Sequence, residues 1–230
     1  MVHFTLFGIP VYIRPSFWVV LAIFGGALSI SSVEDLIYPA LFVIAGFVAI
    51  LSHEMGHALV GRKLGGGRQT IVLELFGGLT SSHGMQLTRG GRALMILAGP
   101  MMTLLLGIIS LWLTWNIVAP VMTSYNLNFW DLAISPFTAA LISPKLYILS
   151  CLIMIGEWWT ILNLLPIYPL DGGQLIAQYI RSPRKVFMTG FITAILIGLL
   201  SFQLFHGYFI PIFMALFAYS NYREYKNAPF

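Results

Sequence analysis

His53, Glu54 and His57 stand in the stretch ILSHEMGHALVGRK, Ile50 to Lys63. Histidines at i and i+4 on a helix share one face, about one turn apart. Two imidazoles so placed can grip a single Zn²⁺. Glu54, next in sequence to the first histidine, points beside such an ion rather than onto it and can take a proton from water there. Zinc brings the pKa of that water to about 7, so hydroxide becomes available at neutral pH. Catalytic zinc takes three protein ligands and keeps one position open. The best candidate for the third is Asp171, in the segment PLDGG. An anion there would otherwise be poorly placed, and a dication offsets its cost. The alternative for Asp171 is a turn residue before two glycines.

The elements that must position these groups are read from apolar length. LIYPALFVIAGFVAI, Leu36 to Ile50, leads straight into the histidines. Ionisable groups at such a depth in lipid are expensive and mark function. The chain has 230 residues, 58% hydrophobic and only 9% charged. A soluble domain carries about 25% charged residues, so too little polar surface is left here to coat a soluble globule. The expectation is an all-α polytopic membrane protein of about six spans: Ser16–Ile30, Leu36–Val60, Arg92–Ala119, Lys145–Leu165, Val186–Phe205 and Tyr208–Tyr222. It forms a single domain over 1–230, with a catalytic core over about 36–181.

Charge orients the chain. The net charge of +4 reads as the positive-inside signal rather than as a nucleic-acid surface. Arg14, Arg62, Lys63, Arg68, Arg89, Arg92, Arg181, Arg184, Lys185, Arg223 and Lys226 all fall on one face of the six-span arrangement. Lys145 alone among these basic residues takes the other face, with Glu34, Asp35 and Asp131. Both termini are therefore expected in the cytoplasm, and the histidines in the cytoplasmic half of the second span. The glycine-rich segment 65–91 is too polar to span. Its middle, Thr70–Thr80, reads as a short cytoplasmic β-hairpin between the second and third spans. In NLLPIYPLDGGQL, Asn163 to Leu175, prolines and glycines break the fourth span. Irregular backbone at that depth must be buried in protein or line a wet cavity. Met1 to Trp18 has no charged leader region or small-residue cleavage site, so no removable signal is expected. Cys151 is the single cysteine and forms no intrachain disulfide.

These residues resemble the site-2 protease family of intramembrane metalloproteases, of the peptidase M50 type. HEMGHA matches its HExGHA signature, and NLLPIYPLDGG its N-x-x-P-x-x-x-L-D-G signature, in the same order on separate helices. FGG at Phe76–Gly78 and AGP at Ala98–Pro100 match minor family features. The resemblance covers roughly Pro15 to Arg181 and extends to the compact branch that processes a membrane-tethered pro-sigma factor. It implies one Zn²⁺ held by His53, His57 and Asp171, with Glu54 as general base and Asn163 as a polar group aimed at the site. It implies membrane-tethered substrates, pro-sigma or anti-sigma factors among them, in a bacterial inner membrane. Thr103 stands where wider family members often carry asparagine. No PDZ module and no CBS tail is recognised, so selection and regulation are expected to use the membrane core or a separate membrane partner.

A protease in lipid must also expose its substrate's backbone. An extended substrate can pair with the hairpin, with Phe76, Gly77 and Gly78 at the docking edge; the bland alternative is a plug. His3, His83 and His206 read as satisfied core groups, and Glu157 as a neutral hydrogen-bonding group. Trp158 and Trp159 read as packing residues, and Gly99–Pro100 either kinks its helix or lets helices pack closely. Competing functions are a prenyl-protein-type membrane zincin, a metal transporter and an inactive scaffold. PLDGG in place of a downstream glutamate opposes the first. A glutamate placed for base work and the absence of a second constellation oppose transport. The intact ligand and base set opposes the scaffold.

Overall fold

The computed structural model describes residues 1–75, 77–125 and 128–229. The first expectation it corrects is the all-α class. Val2–Leu6 (β1) and Ile9–Ile13 (β2) pair as an antiparallel hairpin, Val2 opposite Ile13 and Leu6 opposite Ile9. Phe7 and Gly8 form its two-residue turn with φ of 50° and 75°. Two positive φ values in succession match the twist of flanking strands. Every second residue of β2, Ile9, Val11 and Ile13, is buried, the period-2 signature of a half-buried strand.

The predicted hairpin is present as β3 (Arg68–Glu74) and β4 (Gly77–His83), paired antiparallel from Arg68 opposite His83 to Glu74 opposite Gly77. β2 runs parallel to β3, with Val11 opposite Ile71 and Ile13 opposite Leu73. One sheet results, in the order β1-β2-β3-β4, with β4 at an edge. Its buried face packs Ile9, Val11, Ile13, Ile71 and Leu73 against Phe17 and Leu21 of α1 (Pro15–Phe24) and against Ile50, Leu51, Met55 and Ala58 of α2 (Ile37–Gly65). Each fully buried side chain of this size contributes roughly 1.5–3 kcal/mol. The sheet is thereby fixed to the C-terminal half of α2.

Four helices among the described residues are long and apolar enough to cross a membrane: Ile37–Gly65, Arg89–Ala119, Pro144–Leu164 and Pro183–Leu204. They correspond to α2, α3 (Arg89–Tyr125), α6 (Pro144–Leu164) and α8 (Pro183–Phe205). Between α3 and α6 lie the short α4 (Phe129–Ile134) and α5 (Pro136–Ala140). The first and last predicted spans fall short of this standard. α1 opens with Pro15 at its first turn and has 10 residues, about 15 Å of helix against a hydrocarbon core of about 30 Å. The chain then continues through Gly25 and Gly26, where a Cβ on Gly25 would press on Phe42 of α2. Ahead of α2, the Ser31 and Ser32 amides donate to Asp35 at 3.2 and 2.9 Å. Hydrogen bonds, the Ser32 hydroxyl's first, hold that carboxyl below its usual range.

Sheet pairing still constrains the path. β2 lies beside β3, which follows the C-terminal end of α2, so residues 14–36 must carry the chain back to the start of α2. α1 with its irregular continuation makes that return.

The chain divides into two compact units, Met1–Thr160 and Ile161–Phe230. In the second, α7 (Asp171–Ala177), α8 and α9 (Phe209–Asn227) follow the end of α6. α8 and α9 pack antiparallel around Ile167, Ala194, Met214 and Ala218. The turn between them has His206 at φ 52°. Arg184, at the start of α8, lies 4.7 Å over the ring of Tyr225 near the end of α9. α9 has 19 residues, but its last turns carry Asn221, Arg223, Glu224 and Lys226, which is why it falls short of the apolar standard.

Candidate metal centre

α2 places His53, Glu54 and His57 in its C-terminal half, all buried at 2%, 5% and 8% exposure. The two imidazoles face each other nearly edge to face, 81° apart, with Nε2 atoms separated by 3.1 Å. Nδ1 of His57 lies 2.8 Å from the Met95 carbonyl of α3. A carbonyl can only accept, so Nδ1 carries the proton and Nε2 keeps its lone pair. The fit to one ion follows from distance. Two nitrogens on a tetrahedral zinc, each about 2.0–2.1 Å from it, stand about 3.3–3.4 Å apart. The observed pair is already at that separation to within a few tenths of an ångström.

Two glycines let α3 approach this closely. A Cβ on Gly56, the glycine of HEMGH, would run into the Ala98 carbonyl and Met102. A Cβ on Gly99 would overlap His57 Nε2 and come within 2.9 Å of His53 Nε2. Gly99 follows Met95 by one helical turn, so no side chain covers the Met95 carbonyl that receives His57. Of the two readings of Gly99–Pro100, close packing is the one these contacts support. Thr103 adds a buried polar tie: its hydroxyl is 2.8 Å from that of Thr160 on α6 and donates to the Pro100 carbonyl at 3.0 Å.

Glu54 meets the sheet. The Thr80 hydroxyl of β4 lies 2.7 Å from Glu54 Oε2 and 3.2 Å from the Glu54 backbone carbonyl. Gly78, two residues earlier on the same face of β4, lies directly against the Glu54 side chain, and any Cβ there would overlap it. Gly77, with φ of +125°, leaves room for the Trp159 indole instead. Trp159 also stands edge-on to His53, with ring centroids 6.4 Å apart. The packing role expected of Trp159 thus falls beside the histidines. Phe76 lies outside the described residues.

In the second unit, Asn163 near the end of α6 and Asp171 in the first turn of α7 are buried, at 8% and 6% exposure. The loop ahead of Asp171 is tightly built. A Cβ on Gly172 would meet the Leu164 and Leu165 carbonyls, and one on Gly173 the backbone of Ile167 and Tyr168. Asn221 of α9, 1% exposed, donates to the Tyr168 carbonyl at 2.6 Å and to Phe217 at 2.9 Å. Gly190 of α8 makes way for it, since a Cβ there would overlap its amide oxygen.

Sequence reading missed Thr80, Met95 and Asn221. The first two act through a strand register and a main-chain carbonyl, which residue type does not reveal. The third stands at the start of the polar end of α9, beside Arg223, Glu224 and Lys226, and residue type alone does not set it apart from them. His3, His83 and His206 are corrected: all three are exposed, because each lies at a chain start, strand end or helix cap. Glu157 is likewise exposed and makes no hydrogen bond among the described residues, since the period of α6 turns it outward with Trp158.

A family model described as peptidase family M50 matches residues 41–205. A zinc metalloprotease of Methanocaldococcus jannaschii is 29% identical over 227 residues, covering 94% of this chain and 57% of its own length. A Synechocystis sp. protein is 28% identical over 188 residues, 76% of this chain and 43% of its own. The chain thus spans about half the length of these curated relatives. The solved site-2 protease from Methanocaldococcus jannaschii superposes with a TM-score of 0.61 at 23% identity, over 97% of this chain and 94% of that one. That likeness concerns the fold.

Proposed function

This chain belongs to peptidase family M50, the site-2 protease family, and from that premise we propose that it is an intramembrane zinc endopeptidase. Its substrates are the membrane-spanning or membrane-proximal segments of tethered regulatory proteins, with pro-sigma and anti-sigma factors as the class to test first. The observation that carries this reading is the pair of buried Nε2 atoms 3.1 Å apart, one of them fixed in tautomer by Met95, beside a buried glutamate. His53, His57 and Asp171 supply the ligands. All three are buried, imidazole and carboxylate are donors that zinc takes, and the name of the Methanocaldococcus jannaschii relative supports zinc as the ion.

Zinc bound there supplies Lewis acidity toward water and the scissile carbonyl. The rest falls to the chain. Glu54 takes the proton of the attacking water and returns it to the leaving amine. Met95 keeps His57 in its ligating tautomer. Asn163 offers an amide to the developing oxyanion or the substrate backbone. The free edge of β4 receives the substrate as an added strand, with Gly77, Gly78 and the preceding Phe76 assigned to docking, and so supplies main-chain partners to a segment that gives up its helical ones. A photoreactive group in place of the exposed Leu79 should capture substrate; no capture there contradicts docking at β4.

Orientation follows the charges. The β2–β3 pairing keeps the N-terminal hairpin on the side of β3, and Arg184 stacked on Tyr225 gathers the ends of α8 and α9. Both fit cytoplasmic termini in a multi-pass protein of the bacterial inner membrane. The deciding experiment is Glu54→Gln. It should retain zinc and stop cleavage of a single-span reporter, whereas wild-type cleavage would remove Glu54 from the mechanism.

A further inference from the structure

The edge strand of the sheet does more than face a substrate. We infer that Thr80 is a positioning residue, whose hydroxyl holds the Glu54 carboxylate in line for proton transfer; this rests on Glu54 being the base. A hydroxyl has one proton and donates fully to one acceptor at a time. Of the two within reach, Oε2 at 2.7 Å is nearer than the backbone carbonyl at 3.2 Å. Hydrogen bonds to a charged oxygen are also the shorter and stronger kind. The proton therefore goes to the carboxylate.

Three features make this contact rigid. Thr80 lies opposite Ile71 and Gly78 opposite Leu73, and Ile71 and Leu73 have no exposed surface. The register of β4 is thus fixed by the sheet's own core rather than by the centre it serves. Gly78 supplies the complementary wall, because its bare Cα leaves the space that the Glu54 side chain fills. Thr80 and Gly78 bound the same side chain from two consecutive inward positions. The carboxylate has one place to sit. The β-branched carbon of threonine contributes as well, since it restricts the hydroxyl's rotamers.

A further consequence concerns docking. β4 has a partner strand on one side only. An extended segment added at its open edge would pair with the strand that orients the base, so binding and alignment share one element.

The test uses the full chain, zinc-loaded in detergent, with a single-span reporter whose membrane segment is about 20 apolar residues interrupted by glycine. Thr80→Val keeps shape and removes the donor. It should retain one zinc, leave KM within about twofold, and lower kcat about ten- to a hundredfold, the rate equivalent of one hydrogen bond to a charged group. Thr80→Ser restores the donor and should recover most of kcat. Full kcat in Thr80→Val, or no recovery in Thr80→Ser, overturns the inference. A thermal-unfolding cycle of Thr80→Val with Glu54→Ala reads the contact without any catalysis: non-additive losses are expected, and additive ones overturn it. A wild type that leaves the reporter whole counts against the protease reading instead, and the cycle still decides whether Thr80 holds Glu54.

Discussion

Gly99→Ala is the smallest change aimed at the metal centre, adding one methyl group. That methyl would overlap His57 Nε2 and stand 2.9 Å from His53 Nε2. Ordinary carbon contacts begin near 3.5 Å, so the imidazoles must retreat by half an ångström or more. Zinc sites tolerate about 0.2 Å in ligand distance. Changes that merely loosen a ligand's support cost about 10–100-fold in metal affinity; displacing both nitrogens should cost at least the upper figure. The effect on the helix has the opposite sign, because alanine inside a helix is favoured over glycine by about 0.8–1.0 kcal/mol. Gly99→Ala should therefore keep its helicity and lose its metal. Titration with zinc against a competing chelator, alongside far-ultraviolet circular dichroism, separates the two effects. Wild-type zinc affinity in a folded Gly99→Ala protein would refute the inferred cradle.

Asp171→Ala should lower zinc affinity by more than about 100-fold, since a ligand is lost outright rather than loosened; retention of zinc against the chelator contradicts its role. Asn221→Ala strips the Tyr168 carbonyl of its donor and should cost about 1–3 kcal/mol, seen as a lower melting temperature together with weaker zinc retention through the loop before Asp171. An unchanged melting temperature contradicts that brace. Gly56→Val should separate α2 from α3 at Ala98 and abolish folding or zinc binding, whereas a folded, zinc-replete protein contradicts the close packing read from this contact.

How much of this was legible in the sequence depends on the kind of interaction. His53, Glu54 and His57 were visible because charge in an apolar helix is costly and the i, i+4 spacing is geometric. The β3–β4 hairpin was visible from glycines bracketing β-branched residues. The N-terminal hairpin was not read, although Ile9, Val11 and Ile13 alternate; five-residue strands beside an apolar run are easily absorbed into the approach to a span. Counting spans by apolar length ran the first one from Ser16 to Ile30 as a single helix, because hydropathy does not register the helix stop at Gly25 and Gly26. It also passed over the polar end of α9. Thr80 and Met95 were hidden for another reason. Their roles depend on which strand position or carbonyl faces α2, and only the tertiary fold sets that.

The most direct test of the central claim is X-ray absorption at the zinc edge on the zinc-loaded chain, wild type beside Asp171→Ala. One zinc with two imidazole nitrogens at about 2.0–2.1 Å and a carboxylate oxygen at about 2.0–2.2 Å is predicted, with the carboxylate contribution gone from the Asp171→Ala spectrum. A wild-type shell without two imidazoles, or a shell unchanged in Asp171→Ala, would contradict it.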